Sequence, residues 1–266
     1  MARYQPNKDL LRNQVILVTG ASRGIGRAVA LSYAKHGATV ILLARNIEGL
    51  EQVYDEMIAE GTPQPAIYPF NLASAGPRDY EELAGQITRE FGRLDGLLHN
   101  AGALGSLTPI EHYDIRQWYQ VIQLILHAPF MLTRALLPAL KESSNASIIF
   151  TEDDLNQQSA AYWGAYCVAK QGISGFRQLL ADELDNYMNV RVNGIIPGVT
   201  RTQLRAHAFP AEDSSELPAP ETLIQPYLFL MSGDSQHVNG QCLHAQAEPT
   251  QHNAWMNFVS PSLQNG

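Results

Sequence analysis

Residues 15–26 read Val15-Ile-Leu-Val-Thr-Gly20-Ala-Ser-Arg-Gly24-Ile-Gly26, and this stretch decides the fold. Its first four residues form a short apolar run with β-branched residues, which predicts a fully buried strand. The three glycines that follow open a segment with helical spacing. Glycines between a buried strand and a helix let backbone N–H groups approach a pyrophosphate at the positive end of the helix. We therefore interpret the segment as a phosphate-binding turn rather than as a merely tight connection.

Working outward from this stretch, short apolar runs alternate with helical patterns to residue 245. Further strands are predicted at 39–43, 66–70, 94–99, 147–150, 190–196 and 240–245. Helices are predicted between them at 24–36, 47–60, 78–91, 161–187 and about 222–231, and the region from about 110 to 140 is predicted to be mostly helical. Such alternation indicates right-handed βαβ units and a parallel sheet. The predicted fold class is α/β, a single doubly wound parallel seven-stranded sheet of Rossmann type with helices on both faces. One domain is expected over residues 1–247, and residues 248–266 are expected to form a tail.

Composition limits the classes of partner. The 266 residues are 45% hydrophobic and 17% charged, as in a soluble globular protein. The formal net charge of −8 argues against nucleic acid, which would need clustered Lys and Arg, and gives no attraction to an anionic membrane surface. No stretch is expected to reach the ~20 apolar residues of a membrane span. Cys167 and Cys242 form no metal-spaced pair and no disulfide framework, and the histidines show no metal-ligand spacing, so we expect no metal. Two reduced cysteines and a polar N-terminus without the apolar core of a signal peptide predict a cytoplasmic protein.

The end of the second strand informs the choice of dinucleotide. An acidic residue there would hydrogen-bond the ribose hydroxyls of NAD, but this chain has Ala44-Arg45. Arg23 lies in the glycine turn itself. Either arginine alone could be a solvated surface charge, yet two guanidinium groups near the ribose could clasp a 2′-phosphate. The sequence therefore favours NADP(H) over NAD(H).

Three downstream motifs accompany the glycine turn. Tyr166 and Lys170 are one helical turn apart and share a face, which in isolation would indicate an ordinary surface pair. Here they occur with Leu97-Leu-His-Asn-Ala-Gly102 after the fourth strand and Asn193-Gly-Ile-Ile-Pro-Gly-Val-Thr-Arg-Thr202 after the sixth. This constellation resembles the short-chain dehydrogenase/reductase family over almost the whole chain.

Three further segments resemble the YciK-like bacterial subgroup of that family most closely. They are Tyr4-Gln-Pro-Asn-Lys-Asp-Leu-Leu11, Arg205-Ala-His-Ala-Phe-Pro-Ala-Glu-Asp213 and the Ala245-Gln246 pair near the end of the chain.

The resemblance implies roles for matching residues. Tyr166 would exchange a proton with a small-molecule carbonyl or alcohol, and Lys170 would bind the nicotinamide ribose and lower the phenol pKa. The implied cofactor contacts are Gly20, Ser22, Arg23, Gly24, Ile25, Gly26, Arg45, Asn71, Leu72, Asn100, Ala101, Gly102, Tyr166, Lys170, Pro197, Gly198, Thr200 and Thr202. At Asn71 the family often has an aspartate. The resemblance also implies a homodimer or homotetramer.

Two positions depart from the family pattern. Ile125 falls where an asparagine usually supports a proton-relay water, and Asp153 falls where a serine usually orients the substrate. The nearest hydroxyls are those of Thr151 and Ser159. An ionised carboxylate can only accept hydrogen bonds, so Asp153 would take the serine's catalytic place only if protonated. Alternatively, residues 152–154, Glu-Asp-Asp, form a solvated acidic turn with no catalytic part.

Two functions from different classes remain. The leading one is hydride transfer between NADP(H) and a small-molecule carbonyl or alcohol, with Tyr166 as acid and base and with Asp153 in the altered position. The other is an NADP(H)-binding protein with little turnover and a sensor or assembly role. A nucleoside-sugar epimerase relative is disfavoured because its glycine spacing would be Gly-x-x-Gly-x-x-Gly. The segment Gln203–Glu221, placed after the sixth strand, is the expected specificity loop, and residues 209–221 are expected to be a mobile excursion with few apolar anchors.

Overall fold

A computed structural model describes residues 4–154, 161–187 and 189–246 of the chain. Its strands form one seven-stranded sheet in the order β3-β2-β1-β4-β5-β6-β7, and every neighbouring pair is parallel. The strands are β1 Val15–Thr19, β2 Thr39–Ala44, β3 Ala66–Pro69, β4 Gly96–His99, β5 Ala146–Thr151, β6 Val190–Ile196 and β7 Cys242–His244. The predicted fold class is confirmed. The predicted tail, residues 248–266, lies outside the described residues.

Both faces of the sheet are buried, which explains the continuous apolar runs in the central strands. Successive side chains of a strand point to opposite faces, so Leu17 packs into one core cluster, while Ile16 and Val18 pack into the other. The first cluster includes side chains from α3, α5 and α6, and the second includes side chains from α1, α2 and α8. The two cores hold the carboxyl ends of all the strands at one edge.

The helices that cover the sheet begin and end close to the predicted positions. They are α1 Gly24–Lys35, α2 Ile47–Ala59, α3 Pro77–Phe91, α4 Ile115–Ile122, α5 Ala128–Lys141, α6 Gly164–Leu184, α7 Gln203–Ala208 and α8 Ile224–Met231. Gly37, with φ of +94°, follows α1 in a conformation that glycine adopts easily. The helix predicted from residue 161 begins only at Gly164, because Tyr162 and Gly164 both have positive φ.

The region predicted to be mostly helical between residues 110 and 140 has a break within it. A π-helical turn, Gln123–His127, separates α4 from α5, and π turns occur often at functional sites. Among the described residues, the run Ile115–Lys141 is long and apolar enough to cross a membrane by length and composition alone. The expectation that no stretch would reach this length was therefore wrong. One face of the run packs in the core through Ile125, Leu132 and Leu136, and the core helices of soluble proteins can be equally long and apolar.

The segment after β6 also differs from its prediction. Residues 203–208 form α7 rather than a loop, and Thr202 caps this helix by accepting a hydrogen bond from the Arg205 N–H at 3.1 Å. Phe209 packs against Trp163 with ring centroids 5.9 Å apart, and Arg205 holds Glu212 through two hydrogen bonds of 2.7 Å. The expected excursion is thus anchored at its start.

Candidate active site

The glycine turn brings the backbone of two strand ends together. Gly20 has a φ of +67°, and a β-carbon there would lie 3.0 Å from the Ala101 Cα. A β-carbon on Gly26 would collide with the Gly20 carbonyl and the Asn100 side chain. Gly24 also has positive φ, and a side chain there would approach the Thr202 methyl at 3.6 Å. Only glycine leaves this cradle open, and an open cradle at the start of α1 fits a pyrophosphate.

A hydrogen-bonded junction joins the glycine turn to the loop after β4. The Thr19 hydroxyl accepts hydrogen bonds from the backbone N–H of Asn100 at 2.9 Å and of Ala101 at 3.1 Å. The Asn100 side chain donates to the Thr19 carbonyl at 3.3 Å and accepts from the Thr151 hydroxyl at 3.4 Å. A β-carbon on Gly102 would meet nothing within 4 Å, so the loop surface there has open space beside it.

The side chains predicted to select the cofactor lie around this cradle. Arg23 is exposed at the position just before α1, and its guanidinium donates to the Gln203 side chain of α7. Arg45 directly follows β2 and is exposed. Ser22 lies against Gly49 in the first turn of α2, and Ile25 packs against the core on the side of α1. Arg23 and Arg45 are thus both available at the surface of the predicted ribose end.

The predicted adenine contacts follow β3. Leu72 is buried and lines a cavity beside Ala101, while Asn71 is exposed. The Asn71 side-chain oxygen accepts a hydrogen bond from the Ala73 N–H at 3.2 Å, which orients its amide group. Because Asn71 and Leu72 follow the parallel strand β3, they lie at the same edge of the sheet as the glycine turn.

Tyr166, Lys170 and Asp153 meet where β5 ends and α6 begins. The Tyr166 hydroxyl donates to Asp153 Oδ2 at 2.7 Å, and the Lys170 ammonium donates to the Thr151 carbonyl at 2.6 Å. The Lys170 nitrogen lies 5.7 Å from the centroid of the Tyr166 ring. Asp153 therefore faces the phenol, and the three residues predicted as catalytic form one group.

The electrostatics of this group differ from what the resemblance implies. Burial raises the pKa of Tyr166 well above 10, and the charge and hydrogen bond of Asp153 raise it further. Burial lowers the pKa of Lys170, while Asp153 and Glu152 act in the opposite direction. The expected lowering of the phenol pKa is therefore wrong for the protein on its own, because burial and the Asp153 carboxylate both favour the protonated phenol.

The second interpretation of residues 152–154, a solvated acidic turn, is wrong for Glu152. Its side chain is only 3% exposed and forms an ion pair with Arg177 of α6, whose side chain is 5% exposed. The Ser174 hydroxyl also donates to Glu152, and Arg177 reaches the Gly240 carbonyl at 2.6 Å. The strand end that carries Asp153 is thus fixed to α6 and to the loop before β7. The sequence analysis missed this pair.

The cavity that Leu72 and Ala101 line also reaches Lys170 of the catalytic group. Lys170, Ile125 and Thr151 line it together with Leu124, Ala128 and Ile173. Ile125 is 3% exposed and lies in the π turn, so it presents hydrocarbon where a relay asparagine was expected. His127 is exposed and pairs with Gln123 at 3.2 Å, outside this cavity lining. The second nearby hydroxyl, Ser159, lies outside the described residues.

The residues predicted for the nicotinamide side follow β6. Pro197 and Thr200 are buried, and the Thr200 hydroxyl donates to the Gly198 carbonyl at 3.0 Å. Gly198 has a φ of +75°, and Gln246 packs where its side chain would be. Gln246 also donates to the Val199 carbonyl, so the end of β7 holds this loop in place. The loop thus runs from β6 toward Thr202 and the glycine turn.

An aromatic wall beside the phenol consists of Trp163 and Phe209. The Trp163 ring lies 5.7 Å from that of Tyr166, and the Arg205 guanidinium stacks 3.6 Å from Phe209. Positive φ on both sides of Trp163, at Tyr162 and Gly164, fixes how the chain enters α6. The sequence analysis did not single out this wall, although Trp163 lies three residues before Tyr166.

Comparison with known proteins identifies a family. The family model for short chain dehydrogenases matches residues 14–213. The uncharacterized oxidoreductase YciK of Escherichia coli K12 is 45% identical over 243 residues, which cover 91% of this chain and 96% of YciK. Cyclohexanol dehydrogenase of Acinetobacter is 31% identical over 246 residues, covering 90% of this chain and 95% of that protein.

Solved structures agree with these sequence relatives. A short chain dehydrogenase from Pseudomonas syringae matches with a TM-score of 0.89 and 49% identity, covering 92% of this chain and 100% of that one. One from Shigella flexneri, complexed with NADP, matches with a TM-score of 0.87 and 44% identity, covering 90% of this chain and 100% of that one. The chain therefore belongs to the short chain dehydrogenase family of oxidoreductases, in its YciK-like group.

Proposed function

We propose that this protein transfers hydride between NADP(H) and the carbonyl or alcohol carbon of a small molecule. The observation that carries the proposal is the grouping of Tyr166 and Lys170 at the edge of the sheet that also holds the glycine cradle. A bound nicotinamide would supply or accept the hydride. The chain's own groups then have to position the reacting molecule and move one proton.

The proton would move at the Tyr166 oxygen. Because burial and Asp153 raise the pKa of this phenol, it stays protonated through the neutral range and acts first as an acid. A protonated acid serves carbonyl reduction, so we propose reduction as the favoured direction. Lys170 would bind the ribose hydroxyls and would supply positive charge below the phenol.

Asp153 would slow this reaction. Negative charge develops on a carbonyl oxygen as hydride adds, and an ionised Asp153 would repel that charge where a serine would donate a hydrogen bond. Loss of one such donor typically costs about 3–4 kcal/mol in the barrier. Ile125 supplies no polar atom to a relay water. We therefore propose a slow carbonyl reductase.

The preference for NADP(H) is supported by Arg23 and Arg45 at the predicted ribose end. It is also supported by relatives whose structures were determined with NADP or NADPH bound. NADPH should bind at least tenfold more tightly than NADH, since a 2′-phosphate gains charge-assisted hydrogen bonds worth roughly 1.5–3 kcal/mol. Fluorescence titration of both cofactors tests this.

Arg45→Ala should remove most of that preference. Arg89→Ala is the matched control, because Arg89 is an exposed arginine in the last turn of α3, where the chain approaches the opposite edge of the sheet. Equal affinities for the two cofactors, or an unchanged preference in Arg45→Ala, would contradict the proposal.

The second candidate function is an NADP(H)-binding protein with a sensor or assembly role. Asp153 and Ile125, which replace the expected serine and asparagine, favour it. Asp153→Ser separates the two candidates: it should raise kcat for reactive dicarbonyls by about one to three orders of magnitude, through one restored donor. Adding Ile125→Asn should raise kcat further. Tight NADPH binding without turnover in the wild type and both variants would leave only the binding role.

The setting of the protein also remains a proposal. We propose a cytoplasmic homodimer or homotetramer that acts on a small molecule, without nucleic-acid or membrane partners. Exposed apolar side chains on the outer helices support self-association, namely Ile115 and Tyr119 of α4, Phe130 of α5, and Val168 and Leu179 of α6. We further propose that residues 1–247 form a single domain.

A further inference from the structure

Within the proposed function, the donor and acceptor pattern at Tyr166 points to a different reacting bond. A carbonyl oxygen can only accept hydrogen bonds, and an ionised Asp153 can also only accept. The two groups therefore do not complement each other. A protonated carbon–nitrogen double bond carries an N–H donor and a positive charge, and both complement a carboxylate.

We propose that the substrate is a planar nitrogen heterocycle that carries a C=N bond and is bound in its protonated form between Asp153 and the aromatic wall. This proposal rests on the proposed hydride transfer from NADPH and replaces the carbonyl carbon with an iminium carbon as the hydride acceptor. Asp153 contacts the Tyr166 hydroxyl at 2.7 Å, so its carboxylate lies at the reacting end of the site. Trp163 lies beside the same phenol, and a flat cation is attracted to an indole face.

The surrounding charges are compatible with a cation. Among the described ion pairs, none involves Asp153, whereas the nearby Glu152 is paired with Arg177. Arg205, the cation over Phe209, is held by Glu212 in a two-bond ion pair. Lys170 is also a positive group near the phenol, and its ammonium donates to the Thr151 carbonyl at the end of β5 while the charges of Asp153 and Glu152 act on it. Asp153 thus supplies negative charge that a cationic substrate can use.

The chemistry balances with NADPH as the reductant. The imine nitrogen takes up one proton from solvent before the substrate binds, and Tyr166 stays protonated. Hydride from NADPH then forms a C–H bond at the imine carbon, while the π electron pair of the C=N bond becomes the lone pair on nitrogen. NADPH is oxidised to NADP⁺, and the iminium ion is reduced to a neutral amine. No oxyanion forms, so the carboxylate repels no developing charge.

Binding tests the proposal without requiring turnover. In calorimetry on the protein saturated with NADP⁺, protonated 1-aminoisoquinoline should bind at least tenfold more tightly than isoquinolin-1(2H)-one, its neutral carbonyl counterpart. Asp153→Asn should remove this difference. The control Asp154→Asn should keep it, because the neighbouring charge of Asp154 acts on Cys242 rather than on Tyr166. Trp163→Ala should weaken binding of the cation about tenfold.

Turnover provides the second test. NADPH consumption with 3,4-dihydroisoquinoline should exceed that with 1-tetralone at least tenfold in kcat/KM, and Asp153→Ser should invert the order. Equal binding of the charged and neutral probes, or a cation affinity unchanged in Asp153→Asn, would overturn the proposal. Faster reduction of the ketone by the wild type would also overturn it while leaving the proposed hydride transfer intact. Failure of NADPH to bind would instead refute the proposed function itself.

Discussion

The cofactor half and the proton-handling half of the sheet edge are built differently. The cofactor half, at the ends of β1, β2 and β3, relies on backbone shape: a β-carbon at Gly20 or Gly26 would fill the cradle. The proton-handling half, where β5 meets α6, relies on side chains, with Asp153 facing Tyr166 and Glu152 paired with Arg177. The first half carries the glycines that the resemblance predicts, whereas the second carries Asp153 and Ile125 where the resemblance predicts a serine and an asparagine.

This difference indicates how each half of the site responds to substitution. Backbone N–H groups that hold a pyrophosphate need glycine at fixed positions, so substitution there removes the site altogether. A side chain that touches the reacting atoms can change while the fold and the cofactor site persist. The two halves should therefore respond separately to substitution, and three experiments test that separation.

Tyr166→Phe should have the largest effect and should be confined to the proton-handling half. Removing the acid should lower any reductase rate by about 10²–10⁴-fold, while NADPH affinity changes little. Lys170→Ala should weaken both rate and affinity. Steady-state kinetics and NADPH titration measure the two quantities.

Tyr68→Phe is the matched control for this experiment. Tyr68 lies in β3, and its hydroxyl also donates to a carboxylate, that of Glu90, at 2.6 Å. This hydrogen bond lies at the protein surface. This variant should leave rate and affinity unchanged. If Tyr166→Phe kept most of the wild-type rate, the phenol would be structural, and the division into two halves would lose its chemical basis.

Glu152→Gln should have the next largest effect and should act on stability. Removing one partner of a buried ion pair leaves Arg177 uncompensated, which typically costs about 3–5 kcal/mol in the free energy of unfolding. Urea denaturation should show this loss. The control Glu56→Gln breaks the pair with Arg27, whose side chains are both 36% exposed, and should cost less than about 1 kcal/mol.

A double variant sharpens this test. Glu152→Ser combined with Arg177→Met should lose less stability than the sum of the two single changes, because no charge is left buried alone. Additive losses, or a Glu152→Gln loss no larger than that of Glu56→Gln, would show that the pair does not hold the strand end.

The sequence predicted the two halves unequally for a physical reason. Apolar runs buried on both faces, and a glycine turn between strand and helix, are local patterns, so the sheet and the cradle followed from them directly. The Glu152–Arg177 pair joins residues 25 positions apart, and the local spacing of residues in the sequence does not reveal a pair of this kind. The late start of α6 likewise depends on positive φ at Tyr162, which helical spacing does not reveal.

The third experiment concerns His99 of β4, the strand that lies between the two halves, and tests how well this strand is shielded from water. His99 ends β4, stacks 4.8 Å from Phe150 of β5, and its Nε2 lies 2.8 Å from the Thr133 hydroxyl. Burial lowers its pKa from 6.5 to about 3, so the folded protein keeps this imidazole neutral at mildly acidic pH. The lowered pKa of His99 follows from its burial in the core and not from a catalytic role.

The sign of the resulting pH dependence follows from proton uptake. Below pH 6.5 the unfolded chain binds a proton at His99 that the folded protein excludes, so stability falls as pH decreases toward about 3. Between pH 7 and pH 5 this should cost about 2 kcal/mol, since each unit below the unfolded pKa contributes about 1.4 kcal/mol. Urea denaturation at both pH values measures the loss, and His99→Asn should reduce it by that amount. If the wild type and His99→Asn lost equal stability, the imidazole would be titrating inside the fold, and the strand shared by the two halves would be more open to water than its burial indicates.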